Sequence, residues 1–509
     1  MSKIKNATNG VFAGIINNML GIVLPFISRT ILINQLGIEY VGLGSLFTSV
    51  LQVLSLSELG FGAAVSYSLY KPISEKNTAK VNAILNLYRR IYIIIGFIIL
   101  LLAVTLFPFL GHLVAGNVPS GISINVLYFI YVTNTVISYF FFAYKKILLS
   151  ANQRYDIEVS IASAVLIIQY ILQIILLLLF KNYYIYVLVI PFMTFVGNIV
   201  AYIIVNKKFY GYKCEGTLSK TEITDIAKLT IGSFFSKVGS TVYLSVDNIV
   251  ISGFLGLTVL GVYNNYYYVI SSLIALFAVI HNTLRPILGN AIVTSEKTKI
   301  WKEFNLINTG YMFLVIICCS CCLSLFQDFE LVWGGGQNIL SIDIVVLLVI
   351  YFYIGRFVCP LTLYQEAAGL MWQAKFIPLV AAIVNLMVNI ILVRIIGLPG
   401  ILISSIVSSV CISFPGYFKV IFKCLFNSEK KWVYIRSMTV FTIQCIIVCV
   451  CCYLLTYRFE VYTWVSLVIK GIITLLLNIF LILVFNHKNQ TISLCSQWVK
   501  RKLDNYFSK

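Results

Sequence analysis

Long apolar stretches dominate the chain. A transmembrane helix needs about 20 mostly apolar residues, and about fourteen such stretches occur, centred near residues 21, 53, 98, 135, 169, 194, 240, 272, 315, 350, 384, 410, 445 and 473. None of them shows the short alternation of apolar and polar positions that a membrane β-barrel requires. The pattern predicts an all-α polytopic membrane protein with about fourteen spanning helices.

Between the stretches a polar signature recurs. Residues 29–42 open on Arg29 and carry Gly37 and Gly42; residues 247–261 open on Asp247 and carry Gly256 and Gly261. In both, a charge precedes a short apolar run and two glycines five residues apart. Tyr70-Lys71-Pro72-Ile73 returns as Leu284-Arg285-Pro286-Ile287, the amides Gln169 and Gln173 on the fifth helix return as Asn385 and Asn389 on the eleventh, and Ala151 finds an echo in Ala368. An internal repeat of this kind is how many transporters are built. Each unit holds six helices, an even number, so both enter the membrane in the same direction and a pseudo-two-fold along the membrane normal is expected. The expected organisation is a six-helix lobe over residues 1–206, a polar linker over 207–224, a second six-helix lobe over 225–424, and a terminal helix pair with a basic tail over 425–509.

Composition agrees: the 509 residues are 60% hydrophobic and 11% charged, with a mean hydropathy of +0.95. The net charge of +19 would suggest nucleic acid in a soluble protein, but its placement follows topology. One side of the membrane collects Lys71, Lys76, Lys80, Lys145, Lys146, Arg154, Lys207, Lys208, Lys213, Lys297, Lys299, Lys302, Lys430 and Lys431, whereas the other holds Lys181, Arg394 and Arg458. The positive-inside rule puts both termini in the cytoplasm and leaves no nucleic-acid partner to invoke. The first apolar stretch contains Pro25 and Arg29 and lacks a small-residue cleavage site, so no cleaved signal peptide is expected. The outer loops are short, and the longest, 111–121, is uncharged.

Charged groups inside a bilayer are costly and tend to face a cavity or a partner. Here they are Arg29, Glu58, Lys237, Asp247, Arg356 and Lys470. Cations exceed anions, which suits an anionic cargo such as a phosphate; ion pairing and snorkelling are the structural alternatives. Arg29, Lys237 and Arg356 are the expected substrate-binding residues, and Arg29, Asp247 and Glu58 the expected gating or ion-coupling residues. Glu58 sits beside Gly60 and Gly62, a soft point in its helix. Arg29 and Asp247 hold equivalent repeat positions near the outer ends of helices one and seven, so an ion pair closing an outer gate is expected. Asn17, Asn18, Gln52, Gln169, Gln173, Asn385 and Asn389 are candidates for sugar contact or for bonds between helices.

No Walker A loop is present, His112, His281 and His487 are scattered, and neither His-Glu-x-x-His nor a nucleophile elbow occurs. Cys318, Cys319, Cys321 and Cys322 lie inside an apolar run and read as packing residues. No catalytic, metal or cofactor site is expected.

Three blocks carry a family resemblance. Leu54-Ser55-Leu56-Ser57-Glu58-Leu59-Gly60-Phe61-Gly62 with Ser68-Leu69-Tyr70-Lys71-Pro72, then Asp247-Asn248-Ile249-Val250-Ile251-Ser252 with Gly261-Val262-Tyr263 and Asn265-Tyr266-Tyr267, and Ala368-Gly369-Leu370-Met371-Trp372 resemble polysaccharide-transport flippases of the Wzx type. These belong to the multidrug/oligosaccharidyl-lipid/polysaccharide exporter superfamily. The resemblance spans residues 5–425. It implies a non-enzymatic flippase in a bacterial cytoplasmic membrane. Its cargo would be an undecaprenyl-diphosphate-linked oligosaccharide for capsule, O-antigen or exopolysaccharide assembly, and its pathway partners a polymerase and glycosyltransferases. It also implies that Arg29, Lys237 and Arg356 represent the family's cationic cavity. The competing expectations are a lipid II flippase, a drug or organic-cation antiporter, and, in a different class, a membrane-embedded polymerase or glycosyltransferase. An excess of acid in the cavity would favour the antiporter, and a large charged outer loop the polymerase.

Overall fold

The computed structural model describes residues 2–486 apart from 56–60, 117, 153, 335, 337 and 427–429. The chain is almost entirely helical, in nineteen α-segments among the described residues. They are α1 (Ser2–Gln35), α2 (Glu39–Leu54), α3 (Phe61–Ser74), α4 (Thr78–Leu106), α5 (Ile124–Phe140), α6 (Ile147–Ala151), α7 (Tyr155–Phe180), α8 (Tyr183–Lys208), α9 (Lys220–Leu255), α10 (Leu257–Thr294), α11 (Lys297–Gly334), α12 (Ile342–Phe357), α13 (Cys359–Ala367), α14 (Met371–Ala374), α15 (Ile377–Ile396), α16 (Leu398–Ser408), α17 (Phe414–Cys424), α18 (Lys430–Thr456) and α19 (Trp464–Phe485). Twelve spans among the described residues are long and apolar enough to cross a membrane, thirteen if the bent segment 124–151 is one span, and Glu39–Leu54 is a shorter apolar helix. The polytopic all-α expectation therefore holds.

Contacts divide the chain into two compact units. The first comprises Met1–Asn264 and Pro378–Arg394, the second Asn265–Ile377 and Ile395–Lys509. In the first, α1 lies along α7, α7 along α8 and α5 along α8, while α9 packs on α2 and α3. At one end of it Val65, Leu69, Val81, Ile84, Leu85 and Tyr88 form a buried cluster, against which Cys214 and Leu218 also pack. These last two belong to the segment between α8 and α9. That segment is tied down at Asn86, which donates to the Gly216 carbonyl (2.8 Å), and at Asn82, which accepts from the Lys213 amide (2.9 Å). It ends at Ser219, which caps α9 in a box with Glu222, satisfying amides that the first helical turn leaves without partners. The last residues of the expected linker, from Lys220, are thus helical.

The second unit is organised around α11, which packs on α12, α18 and α19. Lys470 on α19 donates to Asp328 on α11 (2.7 Å) and to the Phe459 carbonyl (3.3 Å), and its ammonium is buried. Asn478, about two turns further along the same helix, accepts from the Ser320 hydroxyl. Polar bonds at two levels therefore fasten the terminal helix to α11, and Lys470 has a structural partner.

The duplicated glycines acquire separate reasons. Gly37 and Gly256 both adopt positive φ, +119° and +89°, ending α1 and α9 in backbone conformations that side chains resist. Gly42 and Gly261 mark a close approach. A Cβ on Gly42 would lie 2.3 Å from the Leu257 carbonyl oxygen, and one on Gly261 would lie 2.3 Å from that of Ile38. Ile38 and Leu257 are equivalent in the repeat, so the contact is reciprocal: each copy of the motif lays its glycine on the other's backbone. Glu39 accepts from Thr258 beside it (3.3 Å). The segment following α4 covers the same turn, with the Ala115 amide bonded to the Ser252 carbonyl (2.8 Å).

Candidate functional site

Membrane-spanning helices of the first unit bring several of the singled-out polar residues into short chains of hydrogen bonds. Arg29 is half-buried on α1, and its Nη1 donates to the Asn264 carbonyl at 2.7 Å. Asn264 donates in turn to Asn248 Oδ1 (3.2 Å), and Asn248 to the Ser49 hydroxyl on α2 (2.9 Å). Ser28, next to Arg29, bonds the Tyr186 hydroxyl at 2.9 Å. One step along α9, Asp247 is buried and accepts from Asn389 Nδ2 on α15 at 2.7 Å; the same amide reaches Asn385 Oδ1 at 3.3 Å. Ser245 donates to Gln52 Oε1 at 3.0 Å. Arg29 and Asp247 thus belong to one polar layer crossing α1, α2, α9, α15 and the start of α10. Gly239 makes the α9–α15 crossing possible, since a Cβ there would meet the Leu379 amide at 2.3 Å.

Lys237 is exposed, seventeen residues past the first residue of α9, about 25 Å along the helix at 1.5 Å per residue. The site therefore presents one guanidinium held on a backbone carbonyl and one exposed ammonium on the same unit.

The remaining amides are placed as follows. Asn17 accepts from Ser163 (2.9 Å), Gln173 is buried and donates to the Tyr186 carbonyl (3.2 Å), and Gln169 lines a cavity of about 320 Å³ between α7 and α8 together with Lys146 and Glu158. Asn18 is exposed. Glu58 lies outside the described residues.

Arg356 belongs to the second unit. Its guanidinium lies 4.0 Å from Cys359 Sγ, and that thiol lies 3.7 Å from His281 Nδ1. His281 Nε2 and Arg285 Nη1 converge on Glu366 Oε2, at 3.3 and 3.1 Å. Sequence reasoning did not connect His281 to Arg356. Nor did it find Asn248, Asn264, Ser49 and Ser245; the one signal for them was a polar residue recurring within an apolar helix, and it names no partner.

A family model described as "Polysaccharide biosynthesis protein" matches residues 7–292, more than half of the chain. No curated protein sequence matches. Among solved structures the chain is similar to the lipid II flippase MurJ in an inward closed conformation, at 17% identity and TM-score 0.62, covering 94% of this chain and 99% of that one. It is also similar to an inward-facing multidrug resistance MATE family transporter of the MOP superfamily, at 12% identity and TM-score 0.62, covering 79% and 94%. A third is a MOP superfamily transporter from Pyrococcus furiosus, described as having a binding pocket of reverse polarity, at 13% identity and TM-score 0.52, covering 81% and 95%. At these identities the likenesses establish the fold.

Proposed function

The chain belongs to the polysaccharide biosynthesis protein family, and from that premise we propose that it is a flippase. Its cargo is an undecaprenyl-diphosphate-linked oligosaccharide, moved from the cytoplasmic to the outer leaflet of a bacterial cytoplasmic membrane by alternating access. Residues 1–206 and 225–424 are its two repeats, 207–224 joins them, and both termini are cytoplasmic. The pathway is the assembly of capsule, O-antigen or exopolysaccharide.

The observation that carries this reading is the pairing, within one unit, of a half-buried Arg29 held in a polar layer with an exposed Lys237 on a spanning helix. Arg29 Nη1 is engaged by the Asn264 carbonyl, a neutral acceptor. A guanidinium anchored on a neutral carbonyl keeps its charge, and a charged guanidinium suits an anionic cargo such as a diphosphate. Arg356 extends the same chemistry to the second unit, and Asp247 with Asn389 supplies a carboxylate for gating or ion coupling.

The test is export in cells that depend on this gene. Lys237→Ala abolishes delivery of surface polysaccharide while the protein still inserts at normal abundance, and lipid-linked precursor accumulates on the cytoplasmic face. Normal polysaccharide from a well-expressed Lys237→Ala overturns the cationic-site reading. Rescue of a strain lacking lipid II flipping would redirect the cargo assignment to lipid II.

A further inference from the structure

The amides that are candidates for sugar contact are mostly committed elsewhere: Asn17, Gln52, Gln173 and Asn389 bond neighbouring helices, and Asn385 accepts from Asn389 one turn along its own helix. A flippase for a glycosylated lipid needs a different surface to recognise the sugar, and the first unit offers one. At the end of the unit that carries the α8–α9 segment, a cavity of about 400 Å³ opens between α3, the start of α4 and the start of α9, within the size range of small-molecule sites. Its wall is a pair of tyrosines one turn apart on α3, Tyr67 and Tyr70, with 65% and 48% of their surface exposed. Their rings meet edge to face, with centroids 6.1 Å apart at 72°, so two aromatic rings form an exposed corner.

The charges around the corner are mixed. Lys71 lies 3.8 Å from Glu75 and Lys80 lies 2.7 Å from Glu222, and Asp225 completes the lining. The Lys80 ammonium and the Ser219 cap hold the Glu222 carboxyl down at about 2, so it is ionised at any physiological pH. Two ammonium groups against three carboxylates do not make a diphosphate site. Exposed aromatic faces among short-range donors and acceptors match a pyranose, whose C–H face lies on a ring while its hydroxyls bond carboxylate and ammonium groups.

We propose that the Tyr67–Tyr70 corner, with Glu75 and Asp225, is a saccharide-binding site that holds the oligosaccharide while the diphosphate is held elsewhere. This rests on the flippase reading for the identity of the cargo and extends it to the surface that takes the sugar. The competing account is that the two tyrosines anchor the protein at the membrane interface, as aromatic belts do.

The experiment compares two probes on the full-length protein in nanodiscs: undecaprenyl diphosphate alone, and the same lipid bearing oligosaccharide, extracted from the membranes of the source cells. Wild type binds the glycosylated lipid more tightly. The double variant Tyr67→Ala/Tyr70→Ala loses that preference, by about tenfold or ~1.4 kcal/mol, with binding of the bare lipid unchanged. Tyr67→Phe/Tyr70→Phe keeps most of it, because the ring faces remain, and serves as the control should the alanine pair fail to fold. An alanine pair that folds and retains the preference overturns the site, as does a wild type that binds both lipids equally. A wild type that binds neither lipid overturns the flippase reading itself, together with the site that rests on it.

Discussion

At the residue scale, Arg29 and Asp247 bear the sharpest consequence. They occupy equivalent repeat positions, and the structure places them in one polar layer, through Asn264 and Asn248 on one side and Asn389 on the other. If their opposite charges help close the outer end, Arg29→Asp and Asp247→Arg should each abolish export, and the double swap should restore it. The interaction need contribute only about 1 kcal/mol to bias two states several-fold. A double variant as inactive as either single, with normal expression, assigns Arg29 to cargo alone. Lys470 gives a contrasting expectation. Its ammonium is buried against a partly exposed Asp328, so Lys470→Ala should leave that carboxylate without its cation and lower stability by about 1–3 kcal/mol, whereas Lys470→Leu with Asp328→Leu should recover most of the loss. Thermal unfolding in detergent measures both. The charges themselves were legible in the sequence because charge inside an apolar run is conspicuous. Their partners were not, because Asn264 and Ser49 are ordinary polar residues until helix packing brings them to Arg29 and Asn248.

The element scale explains why the most conspicuous sequence pattern is duplicated. A glycine at positive φ ends one helix, and five residues on a second glycine lets the next helix rest on the partner motif. The repetition was visible in the chain, whereas the reciprocal contact was not, since only tertiary structure shows that Gly42 meets Leu257 and Gly261 meets Ile38. A methyl group at 2.3 Å from a carbonyl oxygen cannot be relieved by rotating a side chain, so Gly42→Ala and Gly261→Ala should each cost the closed crossing about 1–3 kcal/mol. We expect these variants to expose the turn to water, read as faster maleimide labelling of a cysteine placed at Leu257 in a cysteine-free background. Unchanged labelling would mean that the crossing is not a moving part. The converse experiment joins Glu39→Cys to Thr258→Cys with a short bis-thiosulfonate reagent, because these side chains already touch. Cross-linking should stop export, and reduction should restore it.

For the whole molecule, the direction of transport depends on which side of the bilayer each end occupies. The order of apolar stretches predicts that the basic loops share one side: Lys71 to Lys80, Lys145 to Arg154, Lys207 to Lys220, and Lys297 to Lys302. The structure gives this asymmetry a physical shape in the first unit, where the α8–α9 segment is bound to α4 through Asn82, Asn86 and the Lys80–Glu222 pair. The glycine crossing joins the other helix ends, at the α1–α2 and α9–α10 turns. Lysines near helix ends bias orientation through the positive-inside rule, and the flippase reading needs the basic side to be cytoplasmic, because that is where lipid-linked precursors would be loaded. Single cysteines at Lys76, Lys213 and Lys299 in a cysteine-free background should therefore resist a membrane-impermeant maleimide in intact cells and react after permeabilisation. Cysteines at Gly116 and Lys181 should react before it. The reverse pattern would place the saccharide corner and the linker outside the cell, turn the glycine crossing into an inner closure, and overturn the direction of transport proposed here.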